Sequence, residues 1–361
     1  MVERFQSCAC GQRKAVLVTA LLILVVFSVL HLHHDTPLGG DQHTSVISRQ
    51  HHRLPPGSRR VPSLKNGGVV FMLHIPKTGG TTIRELIKYM KNGKRSEVNY
   101  VYLTGQRGLE HTTEHMNEWL ENDTGLAGTR IENQEPADAV HFIEYHALDR
   151  SCATFLQLSK TLLPQWKRLA EDREVPFFLF SIVREPVSLA VSFFNYYRAM
   201  EQNPKRFDYI PPENVTEDVF LNASIANPQC LFLTRNEDSF TKTGQDLRDS
   251  LTWQECQQAY AGLVDLFDWV GTTERIQNET LPLLKDLFST NPHTNRLIRN
   301  ISKVTHVNPS STGKSPIQRS TLSEQALVDL RQKTSWDLEL YRTIQKFFPY
   351  HEWDILDNEN E

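Results

Sequence analysis

Val69-Val70-Phe71-Met72-Leu73-His74-Ile75-Pro76-Lys77-Thr78-Gly79-Gly80-Thr81-Thr82 sets the class of this 361-residue chain. Five apolar residues in a row read as a short strand buried on both faces, as in a parallel sheet. The glycine pair then makes a turn, and a helix follows from about Thr81 to Met90. Glycine lets the main chain come close to a ligand, and N–H groups at a helix start point at anions. Lys77 adds a point charge, and Thr78, Thr81 and Thr82 add hydroxyls. The lysine precedes the glycines, whereas the nucleotide-hydrolase pattern G-x-x-x-x-G-K-[ST] places it after them. Magnesium-nucleotide hydrolysis is therefore not the first reading. The competing one is a tight strand–helix turn with a surface lysine.

A second segment follows the same plan. Phe177 to Val183 (FFLFSIV) is almost wholly apolar, Arg184-Glu185-Pro186 turns, and Val187 to Met200 reads as a helix. Arg184 thus sits at the carboxyl end of a buried strand, where open α/β sheets bind ligands. Ser192 lies eight residues on, about two helical turns, so the two can face one phosphate together. The bland alternative is an arginine paired with Glu185 and a merely small Ser192. Trp269-Val270-Gly271 is a third strand candidate, after a helical stretch around 254–267. Helical patterns near 281–288 and 323–347 close the domain, with Thr321-Leu322-Ser323-Glu324 supplying capping residues for the last. Short buried strands alternating with helices predict an α/β domain with a mainly parallel central sheet flanked by helices. There is no internal repeat.

Ala15 to Leu32 contains no Asp, Glu, Lys or Arg. As a helix it spans about 27 Å, close to a hydrocarbon core. Arg4, Arg13 and Lys14 precede it, which predicts a transmembrane signal-anchor with a cytosolic tail (1–14) and a lumenal remainder. A cleaved signal peptide is the alternative, although its apolar core is normally shorter and no clean A-x-A site follows. Residues 33–67 read as a stem, 68–350 as the folded domain and 351–361 as a tail. N-x-S/T tripeptides begin at Asn122, Asn214, Asn222, Asn278 and Asn300, all beyond the apolar run. Cys8 and Cys10 precede that run, in the setting of palmitoylated cysteines. Cys152, Cys230 and Cys256 would meet an oxidising lumen. One pair and one free thiol is the simplest arrangement, with Cys230 and Cys256 paired as the nearest in sequence. Three free buried thiols is the alternative.

Lys and Arg total 39 against 43 Asp and Glu, with 39% hydrophobic and 23% charged residues. Those fractions exclude wholesale disorder, collagen and a multi-span membrane protein. The near-neutral balance argues against a nucleic-acid partner, which draws on a basic excess. Arg150, Lys160, Lys167, Arg168, Arg198, Lys205 and Arg206 are available to line a cleft for an anionic glycan. His111 and His115 are four apart, as two metal ligands on a helix would be, but no third ligand accompanies them and no metal is expected.

Together, HIPKTGGTT at 74–82 and the Arg184–Ser192 pair resemble the two motifs of sulfotransferases that use 3′-phosphoadenosine 5′-phosphosulfate (PAPS). Anchor, stem and lumenal domain further resemble the Golgi carbohydrate sulfotransferases, especially the heparan sulfate 2-O- and 6-O-sulfotransferases. The wording of the first loop is nearer the 6-O type. Ser335-Trp336-Asp337-Leu338-Glu339-Leu340-Tyr341 fits the terminal helix of either. The resemblance covers about residues 68–350 through a few short segments, specific for PAPS and nearly silent about the acceptor.

This resemblance implies a P-loop-like sulfotransferase fold in a type II Golgi membrane protein. It implies that Lys77 stabilises the leaving phosphate and that Thr78, Gly79, Gly80, Thr81 and Thr82 hold the 5′-phosphosulfate. Arg184 and Ser192 would hold the 3′-phosphate, and a late loop, best matched by Thr312 and Lys314, would cover the nucleotide. The catalytic histidine of such enzymes falls between the two motifs, where Val140-His141-Phe142-Ile143-Glu144-Tyr145-His146 reads as a strand ending near His146. His146 is the first choice for the base, His141 the second and Glu144 the third, with His74 a packing or supporting group. A base of ordinary pKa would give an acidic limb near about 6.5. The implied reaction is sulfuryl transfer from PAPS to a glycan hydroxyl in the Golgi lumen. Rival readings are a sulfotransferase for protein tyrosine or terminal galactose, and a membrane-anchored nucleotide- or glycan-binding protein without catalysis.

Overall fold

The computed structural model describes residues 61–91, 98–103, 139–146, 153–199, 207–298, 315–348 and 355–356, with part of 109–116. The expected anchor at 15–32, Cys152, Thr312, Lys314, His111 and His115 lie outside the described residues, as do Asn122, Asn300, Arg150, Lys205 and Arg206. Among the described residues no helix is long and apolar enough to cross a membrane.

The described chain enters through a two-residue strand, β1 (Val61–Pro62). Then come β2 (Gly68–Leu73), α1 (Gly80–Lys91), β3 (Val98–Leu103), β4 (Val140–Tyr145), α2 (Phe155–Lys160), α3 (Leu162–Asp172), β5 (Phe177–Val183) and α4 (Pro186–Tyr197). Four helices follow: α5 (Glu217–Ala223), α6 (Pro228–Thr234), α7 (Gln245–Asp249) and α8 (Trp253–Leu266). The chain continues through β6 (Trp269–Thr272), α9 (Leu281–Ser289), α10 (Pro292–Ile298), α11 (Glu324–Lys333) and α12 (Ser335–Phe347). A last short strand, β7 (Ile355–Leu356), pairs in parallel with β1. Val61 and Leu64 are buried, and Leu64 N–H donates to Thr290 Oγ1, so the packed chain starts before Gly68.

β2 to β6 form one parallel sheet in the order β3-β4-β2-β5-β6. Every residue of β2 and β5 is buried, which is why both read as unbroken apolar runs. Side chains alternate across the sheet, and both faces are covered. Phe71 meets Trp166 of α3 at 6.3 Å, while Phe142 meets Phe288 of α9 at 6.4 Å. Each such ring contributes about 1.5–3 kcal/mol on burial. From β2 the chain leaves toward β3, and from β5 it leaves toward β6 on the opposite side. The carboxyl ends of β2 and β5 therefore border a topological switch point, the ligand crevice of open α/β sheets.

Local signals set the helix starts. Thr252 and Glu255 form a capping box on α8, and Glu185 caps α4 with Pro186 in its first turn. Ser323 caps α11. The expected single helix over 323–347 is two helices, broken at Thr334. The Thr334 hydroxyl donates to Leu330 O (2.8 Å), and Asp337 just beyond is drawn onto the start of α6. Cys230 and Cys256 form a disulfide between α6 and α8, with 5.4 Å between their Cα atoms.

Candidate anion and proton-transfer site

Parallel strands send their following loops to one edge of the sheet. Lys77 follows β2, His146 follows β4 and Arg184 follows β5, and β2 lies between the other two. All three residues therefore follow strand ends at the same edge of the sheet, Lys77 and Arg184 on the two sides of the switch point and His146 one strand along.

The 74–80 loop is a tight structure. Lys77 (φ 65°) and Gly79 (φ 100°) adopt left-handed backbone, which is costly for the lysine and natural for the glycine. A β-carbon at Gly80 would run into the imidazole of His74, so the helix start and the histidine require glycine there. Thr78 is buried and its hydroxyl donates to Ile75 O (2.8 Å), closing the turn. Thr82 is buried too, with its N–H on Gly79 O (3.0 Å). Lys77, Gly79 and Thr81 are the partly exposed members. Thr273 Oγ1 clasps the loop to the next strand, donating to Thr78 O (2.6 Å) and lying 3.2 Å from Val183 O.

Arg184 closes the other side. Its Nη1 donates to Lys77 O (3.0 Å), joining the two sequence motifs directly. Its Nε is buried without a partner among the described residues. Burial lowers its pKa, against the pull of the Glu274 and Glu185 carboxylates. Burial, then the charge of Arg184, brings the Lys77 amine down to about 8. Lys77 Nζ rests 3.8 Å from the centre of the Tyr196 ring. Ser188, Ser192 and Tyr196 are spaced by four on α4 and form one stripe, so half-buried Ser192 faces the loop side. No hydrogen bond joins Ser192 to Arg184 among the described residues. Arg319 Nη1 donates to Ser188 Oγ (3.0 Å) and to Glu185 (2.8 Å) along the same stripe.

Around His146 lies a buried polar cluster. The β2–β4 register ends at Leu73 and Tyr145, and one step on, the His74 and His146 rings stack at 4.6 Å. Fully buried Glu144 receives His74 Nδ1 (2.5 Å), Arg84 Nη2 (2.5 Å) and Nε (3.0 Å), and Tyr100 OH (2.5 Å). Burial pushes the Glu144 carboxyl up, but the hydrogen bonds from His74 and Arg84 outweigh it and hold it at about 2. A carboxylate so engaged is an anchor for its neighbours, not a base for an incoming hydroxyl. His146 Nδ1 meets Tyr102 OH (3.1 Å), and its Nε2 is buried with no partner among the described residues. Burial, then the neighbouring His74, lowers its pKa well below the usual histidine value. His141 sits on the opposite face of β4 from Glu144, with Nδ1 3.4 Å from Asn99 Nδ2.

The structure thus joins Lys77 to Arg184 with the Ser192 stripe alongside, and stacks His146 on His74 at the neighbouring strand end. Among the basic residues named for a glycan cleft, Lys160 is bonded to Gln258, Lys167 to Asp268, Arg168 to Pro164 O and Arg198 to Asp208. Sequence reasoning missed Arg84, Tyr100, Tyr102, Gln229 and Thr273. Two signals were present for the first three. Arg84 follows Gly80 by one helical turn, and Tyr100 and Tyr102 alternate along a strand. Neither a scan against protein-family models nor a search of the curated proteins gives a match for this chain.

Proposed function

We propose that the protein is a PAPS-dependent carbohydrate O-sulfotransferase of the Golgi lumen, held to the membrane by residues 15–32. The observation that carries this reading is the bond from Arg184 Nη1 to Lys77 O, which unites the two motif segments at the switch point. PAPS, when bound, supplies the sulfuryl group. Lys77 and the start of α1 bring positive charge to the 5′ end, where negative charge grows on the leaving phosphate. Arg184 and Ser192 take the 3′-phosphate. His146 Nε2 accepts the proton of the sugar hydroxyl as that oxygen bonds to sulfur and the bond from sulfur to the phosphate oxygen breaks. The products are a sulfate ester and adenosine 3′,5′-bisphosphate, and the scheme calls for no metal. An anionic glycan is the acceptor class this reading favours.

The test is calorimetric titration with PAPS and with adenosine 5′-phosphosulfate, which lacks the 3′-phosphate. Losing that charge-assisted contact costs about 2–3 kcal/mol, so PAPS binds about 30- to 150-fold tighter. Equal affinities would remove Arg184 and Ser192 from this role.

A further inference from the structure

Gln229 lies outside every motif, yet its side chain is wholly buried against the main chain of Arg184. Arg184 N–H donates to Gln229 Oε1 (2.8 Å), and Gln229 Nε2 donates to Arg184 O (3.0 Å). The reason is where the sheet ends. The last β2 partner on β5 is Ser181 and the last β6 partner is Val183. Arg184 is one residue past the ladder, and its N–H and C=O would be orphaned. The carboxamide, one acceptor and one donor side by side, substitutes for a neighbouring strand. Glutamate lacks the donor when ionised, methionine lacks both groups and asparagine is a methylene shorter.

Gln229 is itself held. Its N–H donates to Asp337 Oδ2 and that of Cys230 to Asp337 Oδ1, both at 2.8 Å, and Cys230 is disulfide-bonded to Cys256. Asp337 on α12 is fully buried. We propose that Gln229 is a positioning residue of the anion site. It fixes the backbone of Arg184 and thereby the direction in which the guanidinium offers its Nε, which has no partner among the described residues. This rests on the reading that Arg184 holds a 3′-phosphate.

The test compares the full chain with its Gln229→Met and Gln229→Glu variants. Each is titrated with adenosine 3′,5′-bisphosphate and with adenosine 5′-monophosphate. The wild type prefers the bisphosphate, and each variant loses about tenfold of that preference while binding the monophosphate as before. An unchanged preference in a variant with wild-type thermal unfolding would overturn the inference. A wild type with no preference would instead overturn the sulfotransferase reading beneath it. Amide exchange in the unmutated protein is independent of whether the variants fold. The Arg184 amide should exchange as slowly as that of Ile182, and fast exchange would show that the clamp is absent.

Discussion

A buried polar atom without a partner costs about 1–3 kcal/mol, so a fold that keeps one invites a chemical explanation. Among the described residues His146 Nε2 is such an atom, on a ring positioned by the His74 stack and the Tyr102 hydroxyl. Because burial and then His74 depress its pKa, the imidazole stays unprotonated as pH falls through 6.5. Activity should therefore persist below that pH, with its acidic limb well under the ordinary histidine value. A limb at the ordinary value would contradict the burial. His146→Ala should cut turnover by about 10²- to 10⁴-fold and leave nucleotide affinity nearly intact. If His146→Ala keeps its turnover, the base is elsewhere. On the proposed reading Lys77 behaves differently, since its charge would meet the nucleotide directly. With its amine at about 8, nucleotide affinity should fall as pH rises through that value. Lys77→Ala should lower both affinity and turnover and abolish that alkaline loss. A titration of affinity against pH for the two proteins checks this.

At the scale of elements, β2 and β5 were legible because strands buried on both faces carry no polar interruption that matters to the pattern. β3 was not legible. It is an edge strand, and Val98-Asn99-Tyr100-Val101-Tyr102-Leu103 is partly buried and mixed in polarity. The break at Thr334 was also invisible, because its cause is tertiary: Asp337 accepts from the first turn of α6, at Cys230, 107 residues away in the chain. The Cys230–Cys256 pairing agrees with the expectation from proximity in sequence. Closing a loop across a separation of 26 residues stabilises the fold by about 3–4 kcal/mol in the chain-entropy picture. Chemical unfolding with and without reductant should show a loss of that order. An unchanged midpoint, with reduction verified by thiol titration, would mean that the bridge does not constrain the unfolded chain.

Over the whole molecule, the sheet order converts separate sequence signals into one site. Lys77 and Arg184 were readable singly, each at the end of an apolar run. Their meeting required knowledge that β2 and β5 are neighbours. Supporting residues come from contacts that no local pattern encodes. Arg84 reaches Glu144 across 60 residues, Gln229 reaches Arg184 across 45, and Thr273 reaches Thr78 across 195. Their chemistry is ordinary in sequence and becomes specific only once the chain is folded. The reading that joins all of these is sulfuryl transfer, and its most direct test is the movement of label. The purified protein is incubated with PAPS carrying radioactive sulfate and a panel of glycans, with Lys77→Ala and His146→Ala alongside. Label should enter at least one anionic glycan with the wild type and fall sharply with both variants. Nucleotide binding with no label on any glycan, tyrosine peptide or galactoside would contradict it and leave a binding protein in its place.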